Sequence, residues 1–282
     1  MTNLASCIAA AAKRLATSSD SPQLDAELLF SHALALSRTQ LITQSDKIPS
    51  ESELQSAHAL IARRLNGEPI AYIMGKREFW SLELLVNEHT LIPRPETELL
   101  VELALEKIPQ DQAWHIADLG TGSGAIALAI AKERPHCQIH ACDTSKKALL
   151  VAERNAQHND IKNIQFHHSD WFQNLAGRYY DLIVSNPPYV APDDPHLKQG
   201  DLRFEPNSAL SAKNNGFEDL FHIAEQAKSF LKPNSWLLLE HGYEQQKILC
   251  EKLNALGYCQ VTGHNDYAQQ PRAISAQWIN KI

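Results

Sequence analysis

Ile116-Ala117-Asp118-Leu119-Gly120-Thr121-Gly122-Ser123-Gly124-Ala125-Ile126-Ala127-Leu128 is an apolar strand, a glycine-rich turn and the start of an apolar helix, in that order. Glycine lets the backbone turn sharply and lets a ligand approach where any Cβ would collide. The helix that follows offers free N–H groups and the positive end of its dipole. Such a loop suits a nucleotide-like cofactor. The string GTGSGA also fits the GxGxxA form of the dinucleotide fingerprint, so the loop alone admits NAD or a flavin.

The next strand candidate, Gln138–Cys142, ends in Asp143. That is about twenty residues beyond the first glycine, where a carboxylate can accept from both ribose hydroxyls. A third candidate, Asn163–His168, ends in Ser169-Asp170-Trp171. Asp170 offers an acceptor to an adenine amine and Trp171 a face for stacking, with a core or lid aromatic as the other reading of Trp171. A fourth, Asp181–Ser185, runs into Asn186-Pro187-Pro188-Tyr189. Two prolines supply no N–H and hold Asn186 extended, so the loop presents carbonyl oxygens and one side-chain amide, an acceptor array suited to an –NH2 group. Alone, the tetrapeptide also reads as a Pro-rich turn capping a strand. Ligands bind at the carboxyl ends of strands in an open α/β sheet, and here four successive strand ends carry compatible chemistry.

With these motifs in place, the chain resembles the class I S-adenosylmethionine-dependent methyltransferases. Within them it is similar to the PrmC/HemK family, the glutamine methyltransferases that modify peptide chain release factors. The narrower likeness rests on Leu91-Ile92-Pro93-Arg94-Pro95-Glu96-Thr97-Glu98, on Asn186-Pro187-Pro188-Tyr189-Val190, and on Arg203-Phe204-Glu205-Pro206 followed by Ala209-Leu210. It implies an α/β, doubly wound, Rossmann-like methyltransferase sheet with a small N-terminal helical domain joined by a β-hairpin. It implies S-adenosyl-L-methionine as cofactor and class I peptide chain release factors as protein substrate, methylated on the side-chain nitrogen (N5) of the glutamine in their GGQ motif. Gly120, Thr121, Gly122, Ser123, Gly124, Asp143, Asp170, Trp171 and Asn186 are then the candidate cofactor-binding residues. Asn186, Pro187, Pro188 and Tyr189 are the candidate substrate-binding residues, with Asn186 and Pro187 catalytic.

Two other activities share the NPPY motif. One is methylation of a glutamine in a ribosomal protein, by a related enzyme that differs around the segment equivalent to PRPET. The other is methylation of adenine in nucleic acid, whose amine is equally delocalised and can be held by the same acceptors after base flipping. One departure from the family stands near the C-terminus: Asp266 and Arg272 keep the usual spacing, but Gln269 replaces a usual glycine and leaves the last loop's conformation open.

A net charge of −7 over 282 residues argues against the broad basic face that duplex DNA requires. Lys13-Arg14, Arg63-Arg64 and Lys76-Arg77 read as solvated helix and loop ends. No direct nucleic-acid partner is expected. The 5 cysteines, at positions 7, 137, 142, 250 and 259, form no CxxC pair, and the 13 histidines show no HExxH spacing. No metal and no disulfide framework is expected, and a reducing cytoplasm fits best. Leu4 to Ala12 is apolar but short, with Lys13 and Arg14 after it, so it reads as neither signal peptide nor membrane span.

Residues 1–75 read as a helical substrate-recognition domain. Leu4, Ile8 and Leu15 share one helix face, Ser21-Pro22 starts a second helix, and Ser50 to Glu53 is spaced as a capping box. Residues 76–94 read as a β-hairpin linker, with Phe79, Trp80, Leu82, Leu84, Leu85 and Val86 in its strands and the turn near Asn87 and His89. Residues 95–282 alternate helices and strands as a methyltransferase domain, with later strands at Ser235–Glu240 and Ala273–Asn280.

Overall fold

The computed structural model describes residues 2–279, which fall into two units. The first unit runs to Gly75 and takes in Gln199–Phe204; the second comprises Lys76–Lys198 and the chain from Glu205 onward.

Helices Leu4–Leu15, Pro22–Leu34, Arg38–Thr43, Glu51–Leu65 and Ile70–Met74 build the first unit. Leu4, Ile8 and Leu15 meet Leu29, Phe30 and Ile61 in its core, as their shared face predicts. Pro22 opens its helix at the position where a missing N–H costs nothing. At the Glu51–Leu65 helix the capping box forms: Ser50 Oγ accepts from Glu53 N at 3.3 Å, and Glu53 Oε2 accepts from Ser50 N at 2.7 Å. Lys47 donates to the same carboxylate at 2.7 Å, and these hydrogen bonds, Lys47 foremost, hold the Glu53 pKa down to about 2. Arg64 departs from its expected place on a solvated helix end. It is buried, pairing with Asp25 at 2.7 Å and with Asp201 at 3.0 Å, because a guanidinium taken out of water needs opposite charge.

The second unit opens with strands β1 (Lys76–Phe79) and β2 (Leu82–Leu85), an antiparallel hairpin. Its turn is Trp80-Ser81, not the Asn87 to His89 region. Both turn residues have positive φ, 49° and 54°, the geometry of a two-residue hairpin that Asn-Gly usually fills, so Trp-Ser carries no turn signal. Asn87 instead makes a local turn beyond β2, its Oδ1 accepting from His89 N at 3.0 Å.

Strands β3 (His115–Leu119), β4 (Gln138–Asp143), β5 (Ile164–His168), β6 (Tyr180–Ser185), β7 (Leu231–Glu240), β8 (Cys259–Asn265) and β9 (Pro271–Trp278) form one sheet in the order β5-β4-β3-β6-β7-β9-β8. β9 alone runs opposite to the other six strands. The doubly wound sheet and the N-terminal helical region are thus present. β7 starts earlier than expected, at Leu231, and β9 at Pro271, while Asn280 lies outside the described residues. β8 was not anticipated, because as an edge strand it shows neither an apolar run nor clean alternation.

Successive strand residues serve opposite faces. Leu182, Val184 and Leu238 join one core with Leu100 and Ile126, whose helices are Glu98–Lys107 and Ala125–Glu133. Ile183, Leu237 and Leu239 join the other with Ile223 and Leu253, from helices Glu218–Ala227 and Gln246–Ala255. Burial on both faces is why these strands read as near-continuous apolar runs. From β3 the chain moves outward through β4 to β5, then returns to β6 on the other side of β3. That reversal opens a crevice at the carboxyl ends of β3 and β6.

Candidate active site

A cavity of about 370 Å³ occupies this crevice. Gly120 and Gly122 line it after β3, Asp143, Thr144 and Ser145 after β4, Ser169, Asp170 and Trp171 after β5, and Asn186 and Pro188 after β6. Glu88, His89, Ser208 and Asp219 also line it; like Thr144 and Ser145, they are not among the candidate site residues of the sequence. Leu91, Pro206 and Ala209, also in the wall, fall in the segments that carried the family likeness.

Gly120 and Gly122 have φ of 72° and 57°, a region that favours glycine. A Cβ built on Gly122 would meet nothing within 4 Å, so this backbone faces open space. Gly122 N donates to Asp143 Oδ2 at 2.9 Å and Ser145 N to Asp143 Oδ1 at 2.8 Å. Burial raises the Asp143 pKa and these amides oppose the rise. Each carboxylate oxygen retains acceptor capacity.

Thr121, Ser123 and Gly124 do not line the cavity. Thr121 turns inward to donate to Asp118 Oδ2 at 2.6 Å, and Ser123 is buried with its carbonyl accepting from Asn155 Nδ2 at 2.9 Å. A Cβ on Gly124 would come within 3.2 Å of the Ala152 side chain, so this glycine serves close helix packing. Asp118 itself is buried, and desolvation pushes its pKa up to about 7 against the Thr121 hydrogen bond.

Asp170 is exposed at the rim, whereas Trp171 is half-buried. Trp171 touches both environments considered for it, packing on the core beneath the sheet and lining the cavity. Its ring lies 3.4 Å from the Cβ position of Gly120.

Asn186 lines the cavity while its Nδ2 donates to Thr97 Oγ1 at 3.2 Å, which leaves Oδ1 as the acceptor of the amide. Pro188 joins it in the wall; Pro187 is buried and Tyr189 stands behind. Tyr189 donates its hydroxyl to Glu240 Oε1 at 3.1 Å, and burial, then this carboxylate, raises its pKa. Burial also pushes Glu240 up to about 7. Neither Thr97 nor Glu240 was singled out from the sequence as a site residue, although Thr97 belongs to the PRPET segment.

That segment is fixed from a distance: Glu205 Oε2 accepts from Ile92 N at 3.0 Å, and Glu205 Oε1 pairs with Arg94. The C-terminal loop keeps its Asp266 to Arg272 ion pair, 3.2 Å, and Gln269 adopts φ 62° there. Gln269 therefore takes the left-handed conformation that a glycine adopts without strain.

Residues 96–202 match the methyltransferase small domain, and residues 6–75 match the PrmC N-terminal domain. The release factor glutamine methyltransferase of Escherichia coli (strain K12) is 48% identical over 260 residues, covering 92% of this chain and 94% of that protein. The chain belongs to the release factor glutamine methyltransferase family. A family member from Shewanella oneidensis is 45% identical over 281 residues, covering 98% of each protein. A crystal structure of a methyltransferase from Pyrococcus furiosus shares the fold, with a TM-score of 0.53 at 17% identity over 77% of this chain and 96% of that one. Among the described residues no helix is long and apolar enough to cross a membrane.

Proposed function

We propose that this chain transfers a methyl group from S-adenosyl-L-methionine to the side-chain amide nitrogen (N5) of the glutamine in the GGQ motif of class I peptide chain release factors. The observation that carries the reading is its 48% identity, across 92% of the chain, to a release factor glutamine methyltransferase.

The residues around the cavity fit the cofactor. Gly122 leaves space at the turn, Asp143 has acceptor capacity for two ribose hydroxyls, and Trp171 and Asp170 offer a face and an acceptor to adenine. When bound, S-adenosylmethionine supplies a methyl group activated by its positive sulfonium. The rest falls to the protein. A carboxamide nitrogen is a poor nucleophile because resonance draws its lone pair into the carbonyl. Asn186 Oδ1 and the Pro187 carbonyl accept its two N–H bonds, orient it, and stabilise the positive charge that develops on it. Hydrogen bonds to a charged group contribute about 1.5–3 kcal/mol each. No strong base is required, since one proton can leave to water once the nitrogen carries the methyl. Pro188 closes the wall beside Asn186, and Tyr189 braces the loop from behind.

Residues 1–75 serve to grip the release factor, 76–94 join the two parts, and 95–282 carry the transfer. The cytoplasm is the setting, consistent with a substrate that acts in translation and with five free cysteines. The test is incubation of the purified chain with labelled S-adenosylmethionine and, separately, a release factor, its GGQ-to-GGA variant, and adenine-containing DNA. Label in the first alone supports the reading, and label in the DNA alone overturns it.

A further inference from the structure

Asn186 must present its oxygen, not its –NH2, to a substrate amide, and an asparagine side chain can sit either way round. The polar groups behind the NPPY loop bear on that orientation. Asn186 Nδ2 donates to Thr97 Oγ1 at 3.2 Å, and Thr97 is buried. A threonine hydroxyl has one proton, so while it accepts from Asn186 that proton must point elsewhere. Glu240, buried behind the same loop, offers an acceptor for it. Its Oε1 takes the Tyr189 hydroxyl at 3.1 Å, and Oε2 has no hydrogen-bond partner among the described residues, so it keeps its acceptor capacity. Of the groups that hold the Glu240 pKa down against burial, the Thr97 hydroxyl acts most strongly, ahead of Tyr189 and Arg272.

We propose that Thr97 and Glu240 are positioning residues for methyl transfer: the Glu240 carboxylate draws the Thr97 proton, Thr97 Oγ1 is thereby kept an acceptor for Asn186 Nδ2, and Asn186 Oδ1 is left facing the glutamine N–H. The same carboxylate holds Tyr189, so one buried acid steadies both ends of the NPPY loop. This rests on the glutamine-methyltransferase reading for its catalytic consequence, but not for the orientation itself.

Three variants separate the possibilities. Thr97→Val keeps the shape and removes the acceptor; Thr97→Ser keeps the hydroxyl; Glu240→Gln keeps the shape but lets an amide N–H reach Thr97 and reverse the chain of donors. With a release factor as substrate at about pH 8.5, above the Glu240 pKa of about 7, Thr97→Val and Glu240→Gln should lower kcat by roughly tenfold to a hundredfold, the scale expected for a misplaced reacting group. KM should change little, and Thr97→Ser should retain most of the activity. The orientation is read without substrate, in protein labelled with 15N-asparagine, from the Asn186 side-chain –NH2 signal identified by its loss in Asn186→Ala. That signal should move in Thr97→Val and Glu240→Gln and stay in place in Thr97→Ser. If it stays in place in Thr97→Val and Glu240→Gln, or if both turn over at the wild-type kcat, the inference is overturned. Should Thr97→Val fail to fold, Glu240→Gln decides. A wild-type protein that labels no release factor would refute the proposed function instead, and the –NH2 signal would still decide the orientation.

Discussion

Gly122 N donates to Asp143 Oδ2 over 2.9 Å, so the middle glycine of the turn and the carboxylate that ends the next strand are held as one unit. The carboxylate thereby shapes the turn as well as facing the cavity.

Asp143→Ala should therefore weaken S-adenosylmethionine binding by at least about tenfold, the loss of one or more hydrogen bonds to a charged group. The fold should persist, because the strand beneath is fixed by its neighbours. Calorimetric titration checks this, and an unchanged affinity would remove Asp143 from the cofactor site.

Asp118 predicts a pH effect. Burial pushes its pKa up to about 7 in the folded protein, from an ordinary value of 3.8. The folded state then binds the proton more tightly than the unfolded state. The stability this gives is full below the ordinary value and is lost as pH rises towards about 7. Asp118→Asn keeps an acceptor for Thr121 and cannot ionise, so its stability relative to wild type should improve between pH 4 and pH 7, by on the order of a few kcal/mol. Melting temperatures of both proteins across that range decide it; parallel curves would contradict the assignment.

In the helical unit, Asp25→Ala should destabilise by about 3 kcal/mol, the lower end for breaking a buried ion pair. The lower end is expected because Asp201 still faces Arg64 at 3.0 Å. Urea unfolding followed by helical circular dichroism measures this. An unchanged midpoint would show that Arg64 does not need Asp25.

Much of this architecture was legible because it is written in local, strongly patterned stretches. Leu182 to Val184 is apolar on both faces and ends in NPPY; Gly120 and Gly122 occupy positions that need positive φ. What escaped depends on contacts distant in sequence or on residues in unusual backbone states. Trp80 and Ser81 make a hairpin turn without glycine or asparagine, and Gln269 takes a left-handed conformation in place of glycine. Arg64 looks like half of a basic surface pair until Asp25 and Asp201 close around it. The support of Asn186 by Thr97 joins two segments far apart in the chain, and no spacing rule reaches that far.

Asn186→Ala should lower single-turnover rate by roughly a hundredfold or more, because its contact strengthens as charge appears in the transition state. Cofactor affinity should change less. Asn186→Asp keeps an acceptor but loses the –NH2 that Thr97 receives, so its rate should fall between alanine and wild type. A rate for Asn186→Ala equal to wild type would end the NPPY mechanism.

The most direct measurement is tandem mass spectrometry of a release factor incubated with the purified chain and S-adenosylmethionine. The account predicts one added methyl, on the side-chain nitrogen of the GGQ glutamine and on no other residue, and none when Asn186→Ala replaces the wild-type protein over the same short time. A methyl found on another residue of the release factor, or an unmodified GGQ glutamine after complete cofactor turnover, would contradict it.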